Sequence, residues 1–324
     1  MPTKSKRCTP ERFSAVVIVP VYNRAALLTR CLDSIPRQSF RPLTHVIADN
    51  NSTDRSAEIA GQWAESHRAD DFAVSVVNAP AQGAAAARQH GLDSLGDFGR
   101  DSDTILFFFD SDDTMRPDMI STAMRTFNDT DANLLCWNVA FHGLDGKTRI
   151  TRDPDAENTL AVHLVHGSLA TQRFAVNARF LADAGAWNTG IDVWDDWELG
   201  IRLLLADPHF CCTDQVLADV FSQRESITGT SFTARAGRWE NVLTIAASHL
   251  KNAPAKIRHL IPYRQAVLAA HYHREGNKTG AKALLKKALD TPGLSTLNRL
   301  GLRLTYTHTA LGLRGAHTIF GHLL

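Results

Sequence analysis

Residues 104–113 read Thr104-Ile105-Leu106-Phe107-Phe108-Phe109-Asp110-Ser111-Asp112-Asp113. The run from Ile105 to Phe109 is apolar at every position. It lacks the alternation of a half-solvated strand and fits a central strand of a parallel sheet, covered on both faces. Acids follow it directly. A buried strand thus delivers carboxylates at i and i+2, Asp110 and Asp112, into a loop. Two such oxygen donors suit a hard divalent cation that would also hold phosphates. Acid-rich turns also cap helices, and by itself the motif admits that reading too.

Upstream, short apolar runs alternate with helical patterns. Ala15–Pro20 and Thr44–Asp49 read as strands, and Phe72–Asn78 as a third. Ala25–Gln38 carries Leu27, Leu28, Cys31, Leu32 and Ile35 at helical spacing. Ser52, Thr53 and Asp54 supply cap residues for a helix reaching Arg68, and Gly83–Leu95 is an alanine-rich helix. Repeated strand–helix alternation predicts an α/β fold, a mostly parallel sheet flanked by helices. Ligands of such sheets bind beyond the carboxyl ends of the strands. Asn23, Asp49, Asn78 and Asp110 stand at four of those ends.

Downstream, Asn133–His142 and Val216–Ser222 read as strands. Between them lies Trp194-Asp195-Asp196-Trp197-Glu198-Leu199-Gly200-Ile201-Arg202-Leu203, with Asp196–Leu205 as a short amphipathic helix. Either acid can cap that helix, and the tryptophans can be core. Indole faces also stack on sugar rings, so a carboxylate between them reads as a base beside a carbohydrate acceptor. From Arg235 onward the pattern is helical. Tyr263–His273 and Thr279–Leu289 resemble one tetratricopeptide hairpin, too few for a repeat array.

Composition bounds the answer. The 324 residues are 44% hydrophobic and 21% charged, which suits a globular protein with a core. No apolar run approaches the ~20 residues of a membrane span, and no apolar stretch follows the basic N-terminus as in a secretory signal. Five scattered cysteines suggest neither a zinc site nor a disulfide framework, pointing to reduced cytosol. Arg235–Leu324 holds 14 basic against 3 acidic residues, so a +11 tail balances a −10 remainder. The basic tail suits an anionic partner or the acidic remainder itself.

Val17-Ile-Val-Pro20-Val-Tyr22-Asn23, Asp49-Asn50-Asn51-Ser52-Thr53-Asp54, Ala87-Arg88, Phe109-Asp110-Ser111-Asp112-Asp113 and Asp195-Asp196-Trp197-Glu198 occur in that order. The set resembles the family 2 glycosyltransferases over roughly residues 14–230. The resemblance implies a GT-A nucleotide-diphospho-sugar transferase fold and an inverting hexosyltransferase using Mn2+ or Mg2+. It divides the chain into a tail at 1–13, a catalytic domain at 14–234 and a basic helical region at 235–324. It implies that Pro20, Tyr22 and Asn23 flank the nucleotide base and that Asp49 contacts it, usually as uracil. Arg88 and Ser111 belong to the donor site. Asp110 lies by ribose and metal, Asp112 binds the metal, and Asp196 is the general base. Asp195, Trp194 and Trp197 serve the acceptor or support it.

The departures are specific. Asn51 stands where the family usually has glycine, and asparagine tolerates a left-handed turn. Ser222-Gln223-Arg224-Glu225 lacks the histidine that completes the metal site in many members, leaving Arg224 to steady diphosphate charge. The expected partners are a nucleotide-sugar donor, UDP-linked by Asp49, and a glycan or lipid-linked acceptor of surface polysaccharide assembly. Nucleic acid is not among them. The acid-free segment Leu297–Leu324 has the basic and apolar residues of an interfacial helix, suited to the inner face of the plasma membrane, or packs on protein instead. Two rivals remain. The Asp110-Ser111-Asp112-Asp113-Thr114 run also looks like the nucleophile motif of haloacid-dehalogenase-type phosphatases, and an inactive transferase could act as a scaffold.

Overall fold

The computed structural model describes residues 13–151, 159–223 and 231–323. These residues form two compact units. The first draws on 13–151, 171–189 and 207–221, and the second on 159–170, 190–206, 222–223 and 231–323.

The first unit is built on a nine-stranded sheet. Its strands are β1 (Ser14–Val21), β2 (Leu43–Asp49), β3 (Phe72–Asn78), β4 (Thr104–Phe108), β5 (Thr114–Met115), β6 (Leu134–His142), β7 (Thr148–Ile150), β8 (Phe174–Asn177) and β9 (Phe210–Phe221). They lie in the order β3-β2-β1-β4-β8-β6-β9-β5, with β7 on β6. β3, β2, β1 and β4 are parallel, as their apolar runs predict. The other half is mixed, with β8 antiparallel to both β4 and β6 and β6 parallel to β9. Phe107, Phe108 and Phe109 are all buried, confirming the central strand.

Parallel register aligns the polar strand ends. Val21 pairs with Asp49, Asp49 with Asn78, and Ile18 with Phe108, so the first four strands finish on one edge. Helices α1 (Leu28–Leu32), α2 (Ser56–His67), α3 (Ala84–Asp93), α4 (Met119–Asp129) and, later in the chain, α6 (Ala178–Asp183) complete this unit.

Two elements differ from the sequence reading. The α1 segment is far shorter than Ala25–Gln38. Its start closes as a turn on the Arg24 carbonyl, and after Leu32 the bonds tighten to Ser34 N on Cys31 O and Ile35 N on Leu32 O, ahead of Pro36. Strand β9 begins at Phe210 rather than Val216, because Phe210–Thr213 pair with Leu134–Trp137 of β6 before a register shift that skips Asp214 and Gln215. That pairing also sets Cys136 opposite Cys212 with their sulfurs 3.2 Å apart, a proximity that sequence spacing conceals.

The second unit is helical: α5 (Thr159–His166), α7 (Asp195–Leu205), α8 (Ala236–His249), α9 (Ala255–Arg258), α10 (Leu260–Arg274), α11 (Lys278–Leu289), α12 (Thr296–Ala310) and α13 (Ala316–Phe320). Helices α10 and α11 form the expected hairpin, turning at Gly276, whose φ of +87° suits glycine. Trp197, Ile201, Trp239, Leu243, Tyr272 and Leu302 share one core, so α5 and α7 pack with the C-terminal helices. Helix α12 starts with a Ser295–Asn298 capping box and buries Leu302 and Thr305. Its Leu297, Leu300 and Leu304 stay exposed, as do Leu311 and Leu313 beyond it. Among the described residues no helix is long and apolar enough to cross a membrane.

Candidate active site

The loop after β1 and the loop after β2 brace each other. Asn23, at φ +50°, accepts from Thr53 N at 2.8 Å and Asp54 N at 3.3 Å, while its own N–H donates to Ser52 Oγ at 3.1 Å. Its side chain is thereby spent on the loop. Asn50 is buried and staples the segment after β3, donating to Ala79 O and Ala81 O and accepting from Gly83 N. Asn51 has φ +61°, the left-handed conformation expected of the residue replacing glycine. Pro20 lies within β1, and Tyr22 stands exposed just beyond it.

Asp49 ends β2 at 7% exposure. Its Oδ2 accepts from Ser52 N at 3.2 Å. Its Oδ1 is buried with no hydrogen-bond partner among the described residues. A buried acceptor without a donor is costly. At the carboxyl end of a strand it is the group a ligand N–H would satisfy.

The acidic loop after β4 is tightly wired. Arg88 of α3, only 4% exposed, donates through Nη2 to Asp110 Oδ1 at 2.5 Å, with its guanidinium 4.8 Å from the Trp187 ring centre. Gln172 Nε2 donates to both Asp110 Oδ2 and Asp113 Oδ2, at 2.5 and 2.7 Å. Asp113 Oδ1 accepts from Phe221 N at 2.8 Å. Ser111 is buried in the same loop. Asp112 keeps partial exposure, with Arg24 Nε 3.7 Å from its Oδ2 and Arg30 donating to its backbone carbonyl.

Electrostatics follow from this crowding. Burial, then the Asp110 charge, raises the Asp112 carboxyl above the ordinary range. Burial, then Asp110 and Asp112, raises Asp113 much further. Three carboxylates thus crowd one loop, and a cation beside them would relieve their mutual repulsion. Among the described residues no three acid, histidine or cysteine side chains gather into a metal cage. The donor set nonetheless fits Mg2+ or Mn2+, which take one or two carboxylates and complete their shell with phosphate oxygens and water. Asp110 has both oxygens engaged within the protein, which leaves Asp112 as the available carboxylate.

The second acid pair belongs to the helical unit. Trp194 caps α7 at φ +52°, a strained conformation for a bulky residue, and its carbonyl accepts the first helical bond from Glu198 N. Asp195 and Asp196 open the helix half-buried, and Asp196 Oδ1 accepts from Trp197 N at 2.8 Å. Asp196 and Trp194 line a pocket of about 390 Å3 within this unit. Trp197 is 2% exposed, and its indole N–H goes to the His163 and Leu164 carbonyls. It anchors α7 to α5 and also lines that pocket.

His163 accepts from Leu169 N at Nδ1, which leaves Nε2–H to donate to Trp197 O at 2.9 Å. Glu198, wholly buried, accepts from Arg202 and His249. Arg224 lies outside the described residues. Sequence reasoning missed Gln172, the structural role of Asp113, and the Glu198–His249 anchor. Each depends on partners more than 50 residues away and leaves no local signal.

Residues 16–187, more than half of the chain, match the profile of the family described as Glycosyl transferase family 2. The chain is 32% identical over 122 residues to glycosyltransferase GlyA of Streptococcus pneumoniae, a match covering 38% of this chain and 16% of GlyA. It is 29% identical over 119 residues to a Campylobacter jejuni protein named GalNAc(5)-diNAcBac-PP-undecaprenol beta-1,3-glucosyltransferase, covering 36% of each. The chain thus spans well under two thirds of the length of these curated relatives.

Among solved structures it is similar to S. aureus TarS 1–349 in complex with UDP-GlcNAc, with a TM-score of 0.63, 15% identity and 93% of both chains covered. It is also similar to a mannosyltransferase from Pyrobaculum calidifontis in complex with GDP-Man and Mn2+, with a TM-score of 0.59 and 20% identity over 96% of this chain and 84% of that one. At such identities the likeness is one of fold: the α/β GT-A architecture with C-terminal helices. With the sheet, the strand-end acids and the profile in agreement, this chain belongs to glycosyl transferase family 2.

Proposed function

We propose that this protein is a metal-dependent, inverting glycosyltransferase. It moves a sugar from a nucleotide sugar, UDP-linked, to a hydroxyl of a glycan or lipid-linked acceptor in surface polysaccharide assembly. The observation that carries the reading is Asp49 Oδ1, a buried acceptor without a donor among the described residues, at the strand edge where such folds bind ligands. A uracil N–H supplies the missing donor. Tyr22 flanks the base from its exposed position, and Asn23 keeps the loop shaped.

In this reading the catalytic domain spans 14–234 and so includes α5 and α7 of the helical unit, while 235–324 supports them. Asp112, with Asp110 beside it, holds the divalent ion, which when bound neutralises charge on the departing diphosphate. Arg88 fixes Asp110, and Arg224 is assigned to the diphosphate. Asp196 takes the proton from the acceptor hydroxyl as that oxygen attacks the anomeric carbon in a single displacement. Such a base contributes roughly 10²–10⁴-fold. Asp195 and Trp194 shape the acceptor side. The site belongs at the inner face of the plasma membrane, with α12 and the following segment as the contact.

The phosphatase rival needs Asp110 as a free nucleophile, yet both of its oxygens are engaged by Arg88 and Gln172. The test is Asp196→Asn. Affinity for UDP with Mn2+ should stay within a few-fold while turnover falls by roughly 10²-fold or more. Unchanged turnover removes Asp196 from the mechanism. A greater loss in Asp195→Asn moves the base by one residue.

A further inference from the structure

The pocket that carries Asp196 also holds a cation with no part in the chemistry proposed above. Arg264 of α10 lines it together with Asp196, Trp194, His166 and His271. The guanidinium carbon lies 4.4 Å from the ring centre of Trp194 and 5.2 Å from that of Trp197. Nη1 donates to Val165 O at 3.2 Å. Nε is buried and has no hydrogen-bond partner among the described residues, and no ion pair among them includes this side chain.

Burial draws the Arg264 pKa down to about 10, so the group stays charged at neutral pH. Burial also lowers His166, with His317 and Arg264 adding to the effect. It lowers His271 likewise, with Arg274 and Arg264 adding. Arg264 is therefore the fixed positive charge of the pocket, flanked by neutral imidazoles able to donate hydrogen bonds.

A guanidinium matches the geometry of phosphate and carboxylate with paired N–H groups, and stacking on indoles fixes its orientation in advance. Stacking offsets part of the cost of burying the charge but supplies no acceptor for its N–H donors. An oxyanion supplies both.

We propose that Arg264 binds an oxyanion of the acceptor, a phosphate or a carboxylate. The acceptor is then an anionic polyol or sugar rather than a neutral glycan. Its hydroxyl is served by Asp196 and its charge by Arg264, within one pocket of about 390 Å3. This rests on the transferase reading for the hydroxyl, whereas the anion site stands on Arg264 alone.

The test uses the full chain and three small probes: glycerol 1-phosphate, glucuronate and glucose. Binding is followed by ligand-observed NMR, and fold by circular dichroism. One or both charged probes should bind and glucose should not, and which charged probe binds separates phosphate from carboxylate. Arg264→Gln should weaken that binding about tenfold or more, and Arg264→Lys, which keeps the charge and loses the fork, by an intermediate amount. The affinity for UDP with Mn2+ should not change in either variant.

Equal binding of charged and neutral probes overturns the proposal. So does wild-type binding of the charged probes by Arg264→Gln. If that variant fails to fold, wild-type binding by Arg264→Lys overturns it instead. Failure of the wild-type chain to bind UDP contradicts the transferase reading and leaves the anion result to be judged separately.

Discussion

Helix α7 presents Asp195 and Asp196, and the side chain that anchors it is Glu198. Glu198 is 0% exposed, and its oxygens accept from Arg202 Nε at 2.8 Å, Arg202 Nη2 at 2.9 Å and His249 Nε2 at 2.7 Å. The Arg202 side chain is itself only 14% exposed. Glu198→Ala therefore removes the carboxylate that Arg202 and His249 share and opens a cavity. Removing one partner of a buried pair costs about 3–5 kcal/mol. At about 2–4 °C per kcal/mol for a domain of this order, the melting temperature should fall by roughly 6–20 °C.

Adding Arg202→Met removes the other half of the ion pair, so the double variant should recover part of the loss, since replacing a whole buried pair by apolar groups is often nearly neutral. Circular dichroism melts of the single and double variants measure both effects. A folded Glu198→Ala should also lose turnover more than UDP affinity, because the perturbation acts on α7. A melting temperature within about 2 °C of wild type, or a double variant no more stable than the single, refutes the anchoring argument.

Burial of His45 lowers its pKa to about 4, so the folded chain holds it neutral while the unfolded chain protonates it below about 6.5. Stability should be level above that pH and fall as pH drops from about 6.5 to 4, by about 3 kcal/mol in all; urea titrations at pH 7 and 5 of wild type and His45→Leu measure it, and equal pH dependence in both would exclude His45 as the cause. Gln172→Leu removes the donor shared by Asp110 and Asp113 and should cost about 1–3 kcal/mol in urea unfolding; no loss would mean the amide is dispensable. Wild type should sediment with anionic vesicles at low salt, and Leu297, Leu300 and Leu304 changed together to Ser should release it without altering the melt, since all three are exposed. Wild type remaining in the supernatant would end the membrane assignment.

The first four strands were legible because each is an apolar run ended by a polar residue, and the parallel register then aligned those ends without further information. The left-handed Asn51 was legible from its side chain. What escaped was tertiary. The interleaving of β8 and β6 depends on pairings that leave no periodic signature. Trp194 and Trp197 look alike in sequence and line the same pocket, yet one holds a strained φ and the other donates its N–H into α5. The leucine-rich tail offered membrane contact and internal packing as alternatives. The structure shows packing through Leu302 and Thr305, beside a row of exposed leucines on the same helix.

In the proposed mechanism a divalent cation and a nucleoside diphosphate bind together, through Asp112. Isothermal titration of UDP into the wild-type chain, with Mn2+ and then with EDTA, tests it most directly when repeated on Asp112→Ala. Binding should be tight only for wild type with Mn2+, and the folded variant should bind weakly with no response to the metal. Equal UDP affinity in all four titrations would contradict it.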